Sequence, residues 1–277
     1  MSVRQKKSVR VIVRLVLILF AAYTAVPLLM VLVTAVRPSG AVIGGPFTIP
    51  RELSLSNFRH AWIGGRFSQY VGNSFLITVP TVVIVLLLAT PAGYSFAKIR
   101  YPGRDLLFFG ILLGMMVPFQ AVMIPLYFLI NDLGLVNTRT AVVVVMAAGG
   151  LPFGIFMMRS FFVSLPNELI ESARLDGATD IRVFYHVMLP LTFPAWVSLI
   201  IFQSMWAWNN FVVPLIFIYT QRLRPVTLGL MHFQGQYVTD YPLVAAAILI
   251  TLSPLIILYV LLQKKFVSSI TLGAVKS

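Results

Sequence analysis

This chain of 277 residues contains no cysteine, and only 10% of its residues are charged. Without cysteine it forms no disulfides and offers no thiol ligand to a metal. The three histidines, His60, His186 and His232, lie far apart in sequence and do not predict a metal site. The phosphate-binding pattern Gly-x-x-x-x-Gly-Lys-[Ser/Thr] is also missing, so the chain is not expected to cradle ATP phosphates in the usual way.

Hydrophobic residues make up 59% of the chain, which is typical of a polytopic membrane protein. Six uncharged runs reach the length of about 20 residues that a membrane-crossing helix needs. They are Leu15–Val36, Ser74–Ala97, Leu106–Ile130, Thr140–Met158, Ala195–Tyr219 and Pro242–Leu262. The sequence therefore predicts an all-α polytopic membrane protein with six transmembrane helices.

The six runs also predict the domain organisation. They form one transmembrane domain, 15–262, between an N-terminal segment, 1–14, and a C-terminal tail, 263–277. No segment between the runs exceeds about 40 residues, so a separate catalytic domain of usual size does not fit. The first run follows a basic start, as a cleaved signal sequence would, but it is longer than the apolar core of about 7 to 15 residues that such signals have. We interpret it as a membrane span.

The net charge of +13 could indicate a nucleic-acid partner, but the positions of the basic residues favour membrane topology instead. If the N-terminus is cytoplasmic, the cytoplasmic segments hold fourteen of the 21 basic residues, including all six lysines. The outer segments hold the other seven: Arg37, Arg51, Arg59, Arg66, Arg139, Arg222 and Arg224. This bias predicts cytoplasmic termini, and it also places the segment 159–194 in the cytoplasm.

The six runs contain no acidic or basic residue. Ion-coupled transporters usually carry an ionisable group near the middle of the membrane, so this absence argues against a secondary transporter. It also argues against an intramembrane enzyme, because no nucleophile, base or metal-ligand cluster lies at membrane depth. Amides and indoles are present instead, and such groups suit a neutral hydroxylated solute. The candidate residues of a substrate path are Gln120, Trp208, Asn209 and Asn210.

The segment 159–194, hereafter the two-helix loop, is polar enough to lie outside the membrane. Asn167 is a predicted N-cap, and Glu168 and Glu171 follow in the first turn, where carboxylates favour the helix dipole. Asp176-Gly177 predicts the end of this short helix, with glycine at positive φ.

A second short helix is predicted to start near Thr179 and to end before Pro190. Its apolar stripe has helical spacing and consists of Ile181, Phe184, Tyr185 and Met188. We interpret the two short helices as an element on which a partner docks. The alternative is an ordinary amphipathic loop on the membrane surface.

The spacing of residues in the two-helix loop resembles the signature of the permease subunits of binding-protein-dependent ABC importers. The matching residues are Glu171-Ser172-Ala173, Asp176-Gly177-Ala178, Phe184 and Leu189-Pro190. Ser172 stands where the family has alanine. The resemblance implies that this loop couples the permease to an ATPase, with Glu171 capping and positioning the first helix, Gly177 permitting the turn, and Ala173 and Ala178 allowing close approach.

Two further segments resemble the carbohydrate-importing branch of this family. Trp206-Ala207-Trp208-Asn209-Asn210-Phe211 with Pro214-Leu215 is similar to its Trp-Asn-Asp/Glu-Phe…Pro-Leu segment, with Asn210 where an acid is frequent. The tail Leu272–Lys276 resembles that of the maltose-type permeases, which implies that Gly273, Ala274 and Lys276 contact the ATPase subunits.

The resemblance implies a type I ABC importer permease fold in the cytoplasmic (inner) membrane. The implied partners are a second homologous permease, two ATPase subunits, an extracytoplasmic solute-binding protein and the lipid bilayer, with no nucleic acid. No cofactor is expected on this chain, since ATP and Mg would bind to the ATPase subunits. The expected cargo is a di- or oligosaccharide or a related sugar, and a polyol or a glycerol-phosphate type ester remains the alternative.

The predicted topology can be tested by cysteine labelling, because the native chain has no cysteine. Single cysteines replacing Ser56 and Thr239 should react with an impermeant thiol reagent from outside intact cells. A cysteine replacing Ser172 should react only after the cytoplasmic face is opened, because the basic residues place the two-helix loop there. Labelling of position 172 in intact cells would show that the orientation is wrong.

Overall fold

The computed structural model describes residues 3–38, 50, 52–233 and 240–274, and every regular element in this part of the chain is helical. The four longest helices are α1 (Val3–Ala35), α3 (Phe67–Lys98), α6 (Arg139–Ser164) and α13 (Tyr241–Ala274). The intermediate ones are α4 (Arg104–Leu113), α5 (Phe119–Asp132), α7 (Glu168–Leu175) and α10 (Phe193–Asn209). The short ones are α2 (Ser56–Arg59), α8 (Asp180–Arg182), α9 (Leu189–Leu191), α11 (Val212–Phe217) and α12 (Val226–Gly229).

Four helices contain a segment that is long and apolar enough to cross a membrane. These segments are Arg10–Ala35, Phe67–Lys98, Arg139–Ser164 and Tyr241–Lys264. They contain the first, second, fourth and sixth apolar runs. Two bent helix pairs pass the same test, so the described residues give up to six spans if each pair counts as one.

The third apolar run, which the sequence predicts as a single span, is not one continuous helix. It divides into Arg104–Met116 and Phe119–Asp132, which meet at 98°. Val117 between them is extended, with φ −77° and ψ 117°, because the ring of Pro118 disfavours helical backbone in the preceding residue. Pro118 itself begins α5 as its N-cap.

The fifth apolar run is also interrupted. Helix α10 ends at Asn209, and Asn210 is extended, with φ −67° and ψ 124°. The Asn210 Oδ1 atom accepts a hydrogen bond of 3.0 Å from the N–H of Val213 in the first turn of α11. The N-terminal end of α10 forms the second bent pair, at 68°, with the helical stretch Asp180–Leu191.

The chain divides into two compact units. The first consists of residues up to Ser68 together with Gly229–Ser253, and the second consists of Gln69–Leu228 together with the chain from Pro254 onward. In the first unit, Asn57 Nδ2 donates to the carbonyl oxygens of Ala35 (2.8 Å) and Arg37 (2.6 Å) and so satisfies backbone acceptors at the end of α1. The second unit contains the two-helix loop and all four candidate path residues.

Within the second unit, α3 packs closely against α6 because small residues lie between them. A Cβ atom on Gly93 would lie 2.6 Å from the Cβ of Met158, and one on Gly154 would lie 2.8 Å from Val85. Glycines at such positions let two membrane helices approach with their backbones. Towards its other end, α3 is held by Asn73, whose Nδ2 donates to the carbonyls of Arg222 (2.9 Å) and Arg224 (2.8 Å).

Candidate functional site

The first helix of the two-helix loop, α7, ends in a Schellman motif. The N–H of Gly177 donates to the carbonyl of Arg174, and the N–H of Ala178 donates to the carbonyl of Ala173, each at 3.0 Å. Gly177 has φ +82°, which confirms the predicted positive φ. The predicted end of the helix at Asp176-Gly177 is also confirmed, because the last helical residue is Leu175.

The start of α7 differs from the prediction in one respect. Asn167 occupies the N-cap position, but its side chain makes no capping hydrogen bond. The Asn167 Oδ1 atom instead accepts a hydrogen bond of 2.7 Å from the Lys98 ammonium, which competes with the backbone for the same oxygen. Glu171 does not cap the helix either: its side chain is exposed and forms no hydrogen bond within the described residues.

The second helix of the loop does not end before Pro190, as predicted. The helical stretch runs on from Asp180 to Leu191, and its middle, Val183–Met188, is a π-helix. Because a π-turn places residues five apart on one face, Val183 and Met188 are both fully buried. Two members of the predicted stripe, Ile181 and Tyr185, are exposed instead.

The other residues that the resemblance assigns to ATPase coupling differ in how far they are buried. Ala173, Ala178 and Phe184 are partly buried and pack against the hydrophobic core of the second unit. Ser172, Asp176 and Pro190 are exposed.

An ion pair joins the two helices of the loop across the turn, with Arg174 donating to Asp180 at 2.7 Å. The hydrogen bond that Arg174 donates to Asp180 raises the pKa of Arg174 above its already high usual value, so this guanidinium stays charged. The turn is therefore held by the backbone and by this surface pair.

The loop is attached to the end of α3 by two residues that sequence reasoning did not select. The Lys98 Nζ atom donates to the Leu165 carbonyl and to Asn167 Oδ1, both at 2.7 Å. The buried ring of Tyr94 lies 5.3 Å from that of Phe162 and 4.9 Å from that of Phe184, measured between centroids. In the sequence, Lys98 is a lone lysine at the end of an apolar run. This pattern indicates the orientation of the chain in the membrane and does not by itself predict a contact with the loop.

A polar cavity of about 640 Å³ lies between the end of α3 and the two-helix loop. Its charged lining residues are Lys98, Arg100, Arg104, Arg174, Glu171 and Asp180. Most of these basic groups already have partners, because Lys98 binds the loop, Arg174 binds Asp180, and Arg104 donates to Asp105 at 3.1 Å. Among the described residues, no group of three metal-ligating side chains comes together in this cavity or elsewhere.

The two-helix loop exposes large apolar side chains on both sides of the glycine turn. Leu175 is 90% exposed, Ile181 71% and Tyr185 57%. All three belong to the segment 159–194, which the sequence predicts to lie outside the membrane. Exposed apolar groups that cluster in such a place mark a protein interaction surface.

The candidate path residues have different surroundings. Trp208 is buried, lies edge-on to Phe75 at 5.0 Å and lines an apolar cavity of about 350 Å³. Asn210 is engaged in the backbone break, where its carbonyl also accepts from Thr227 at 3.0 Å. Asn209 is exposed, with its Nδ2 donating to the Met205 carbonyl at 2.9 Å, and Gln120 is exposed on α5. The structure therefore leaves the amides of Gln120 and Asn209 more accessible than the other two side chains.

The tail residues lie at the edge of the described chain. Gly273 and Ala274 belong to the last turn of α13, and Lys276 lies outside the described residues.

The comparison that decides the family covers most of the second unit, including the two-helix loop. A model described as "Binding-protein-dependent transport system inner membrane component" matches residues 89–271. The chain belongs to this family. As a binding-protein-dependent inner membrane component it is a multi-pass transport subunit and not an enzyme.

Relatives within this family agree over nearly the whole chain. The diacetylchitobiose uptake system permease protein NgcG of Streptomyces coelicolor is 32% identical over 259 residues, which cover 93% of this chain and 86% of the relative. The arabinooligosaccharides transport system permease protein AraQ of Halalkalibacterium halodurans is 34% identical over 262 residues, which cover 93% of each.

A solved structure has the same fold. It is a bacterial ABC transporter involved in the import of the acidic polysaccharide alginate. One of its chains matches with a TM-score of 0.82 at 24% identity, covering 96% of this chain and 99% of that one. At this identity the match establishes the fold of the permease and nothing about its cargo.

We expect Gly177→Val to abolish transport without preventing membrane insertion. No atom lies within 4 Å of a Cβ built on Gly177, so the cost comes from the backbone alone. A β-branched residue at φ +82° costs about 1–2 kcal/mol and would displace the turn. Gly177→Asn is the matched control, because asparagine tolerates this conformation. Equal uptake by the valine and asparagine variants would contradict a requirement for positive φ.

Proposed function

We propose that this chain is a membrane-spanning permease subunit of an ATP-driven ABC importer that carries a carbohydrate into the cytoplasm. It works with a second homologous permease, two ATPase subunits and an extracytoplasmic solute-binding protein. ATP and Mg bind to the ATPase subunits, and the segment Glu171–Pro190 couples their motion to this chain.

The observation that carries the coupling proposal is the exposed apolar surface of the two-helix loop. Leu175 and Ile181 flank a turn that the Schellman motif and the Arg174–Asp180 pair hold in one shape. An exposed apolar surface at such a turn, in a loop proposed to lie outside the membrane, suits a groove on a soluble protein. Since the chain belongs to a transport family and lacks a phosphate-binding loop, an ATPase subunit is the partner that this surface would need.

The proposed topology has six spans and cytoplasmic termini, with Arg104–Met116 and Phe119–Asp132 counted together as the third span. The fifth span begins in α10, so that the stretch Asp180–Leu191 remains in the cytoplasmic loop. The split of basic residues, fourteen in the proposed cytoplasmic segments and seven in the outer ones, supports this orientation. The transmembrane domain then extends over 15–262, and the coupling loop over 159–194. The tail residues Gly273, Ala274 and Lys276 are proposed to contact the ATPase subunits from the same side.

The proposed cargo is a di- or oligosaccharide or a related sugar. Relatives at 32% and 34% identity are named for diacetylchitobiose and arabinooligosaccharide uptake. The uncharged spans of this chain are consistent with a neutral, hydroxylated solute, which amides bind through its hydroxyl groups. Of the candidate path residues, Gln120 and Asn209 have the most accessible amides, whereas Trp208 is buried and Asn210 is engaged at the break between α10 and α11.

Two alternatives differ in how far they depart from this proposal. A polyol or a glycerol-phosphate type ester would keep the importer and change only its cargo. An ion-coupled secondary transporter would need no ATPase, and membership of a binding-protein-dependent family argues against it. The uncharged spans argue against it as well.

The docking surface can be tested by introducing charge into it. Leu175→Glu should strongly reduce the amount of ATPase subunit that purifies with the permease, because an unpaired carboxylate would be buried in the interface. Insertion should be normal, since Leu175 is 90% exposed in the chain itself. Leu53→Glu is the matched control, a leucine that is 76% exposed in a segment expected on the outer side. Full ATPase retention by Leu175→Glu would contradict docking through this surface.

The cargo can be tested in proteoliposomes that contain the complete complex. The cognate binding protein, loaded in turn with single solutes, should stimulate ATP hydrolysis when it carries a di- or oligosaccharide. If ATP hydrolysis is stimulated only when the binding protein carries a polyol or a glycerol-phosphate ester, the alternative cargo is favoured. Stimulation only by amino acids, peptides or metal ions would show that the carbohydrate assignment is wrong while leaving the importer intact.

A further inference from the structure

We propose that Lys98 is a positioning residue that fixes the two-helix loop to the end of α3, so that the loop and the second membrane span move together. This inference rests on the coupling function proposed above. The helices that flank the loop in sequence transmit its motion into the membrane by direct connection. The proposal is that α3 transmits this motion as well.

The Lys98 ammonium binds both sides of the junction between α6 and α7. The Leu165 carbonyl belongs to the C-cap residue of α6, and Asn167 is the N-cap residue of α7. Both contacts are 2.7 Å long, which is typical of charge-assisted hydrogen bonds. One cation therefore joins three helices at the point where the loop leaves the membrane.

Tyr94 makes a second contact, one helical turn before Lys98 on the same side of α3. Its ring packs against Phe162 at the end of α6 and against Phe184 in the second helix of the loop. Lys98 thus holds the first helix of the loop, and Tyr94 holds the second. With both helices attached to α3, a rotation of the loop displaces α3 as well.

The helix α3 is suited to carry such a displacement. It is continuous over 32 residues, which corresponds to a length of about 48 Å. Near its other end, Asn73 binds the backbone carbonyls of Arg222 and Arg224. A displacement that begins at Lys98 therefore reaches the segment Arg222–Arg224 through one element and one side chain.

The neighbouring Arg100 provides a matched control. It lies two residues beyond Lys98, is exposed and lines the same polar cavity. Its side chain forms no hydrogen bond or ion pair within the described residues. Removing its charge also takes one positive charge from the lining of the cavity, but it breaks no link to the loop.

The experiment compares Lys98→Met, Lys98→Arg and Arg100→Met in the complete complex, reconstituted in proteoliposomes with the binding protein. Lys98→Met should keep the ATPase subunits and basal ATP hydrolysis but lower uptake by about tenfold or more, the change expected when a charge-assisted hydrogen bond is lost. Lys98→Arg should restore most of the uptake, because arginine also donates to both acceptors. Arg100→Met should transport like the parent.

A distance measurement separates positioning from general loss of function. Spin labels on cysteines that replace Leu87, which is exposed on α3, and Ser172, which is exposed on α7, report the separation of the two helices. The parent, Lys98→Arg and Arg100→Met should give one narrow distance distribution. Lys98→Met should give a broadened one. If Lys98→Met fails to insert, Asn167→Ala takes its place, because it removes one of the two acceptors and leaves the lysine in position.

Several results would overturn the proposal. A narrow distribution in Lys98→Met would show that Lys98 does not fix the loop, and normal uptake with a broadened distribution would show that the fixation does not serve coupling. A parent complex without an ATPase subunit would instead refute the proposed coupling function. The spin-label distances would still show in that case whether Lys98 holds α7 in place.

Discussion

The close packing of α3 against α6 at Gly93 is the contact on which the rest of the second unit depends. A side chain at this position would overlap Met158 and the backbone of Arg159, so only glycine lets the two helices come this near. Because the two helices are this close, the ring of Tyr94 contacts Phe162 and Phe184. For the same reason, the Lys98 ammonium reaches the Leu165 carbonyl and the Asn167 side chain. The position of the two-helix loop is therefore determined by a contact inside the membrane domain.

Four of the six predicted spans could be read from the sequence because hydrophobic length and the absence of charge are sufficient to identify a continuous apolar helix. The third and fifth runs show where this reasoning stops. Hydropathy does not distinguish Val117-Pro118, which bends the chain by 98°, from the prolines that remain inside α3 and α6. Whether a proline bends a membrane helix depends on what its neighbours supply to the freed carbonyls, and this is a property of tertiary structure.

The loop shows the same division between local and tertiary information. The end of α7 was predictable because a glycine after a helical stretch favours one local motif, and Gly177 adopts it. The cap at Asn167 was not, because a lysine 69 residues earlier in the chain takes the oxygen that the local motif would use. The apolar stripe of the second helix was predicted with a period of 3.6 residues, and of its members Met188 is buried and Phe184 partly buried, whereas Ile181 and Tyr185 are exposed. The five-residue spacing of the π-turn buries Val183, which the stripe did not include, together with Met188.

That π-turn has a consequence for how the loop is aligned with the membrane helix that follows it. A π-turn corresponds to an α-helix into which one residue has been inserted, and one residue in an α-helix corresponds to about 100° of rotation. The extra residue therefore sets the rotation of Asp180 about the helix axis relative to α10, and with it the position of the ion pair between Asp180 and Arg174. Deleting a residue between Val183 and Met188 would keep a helix of nearly the same composition but would turn the exposed apolar surface of the loop through roughly a quarter of a circle. The orientation of that surface is thus encoded by a residue count, and conservative substitutions within the turn leave it unchanged.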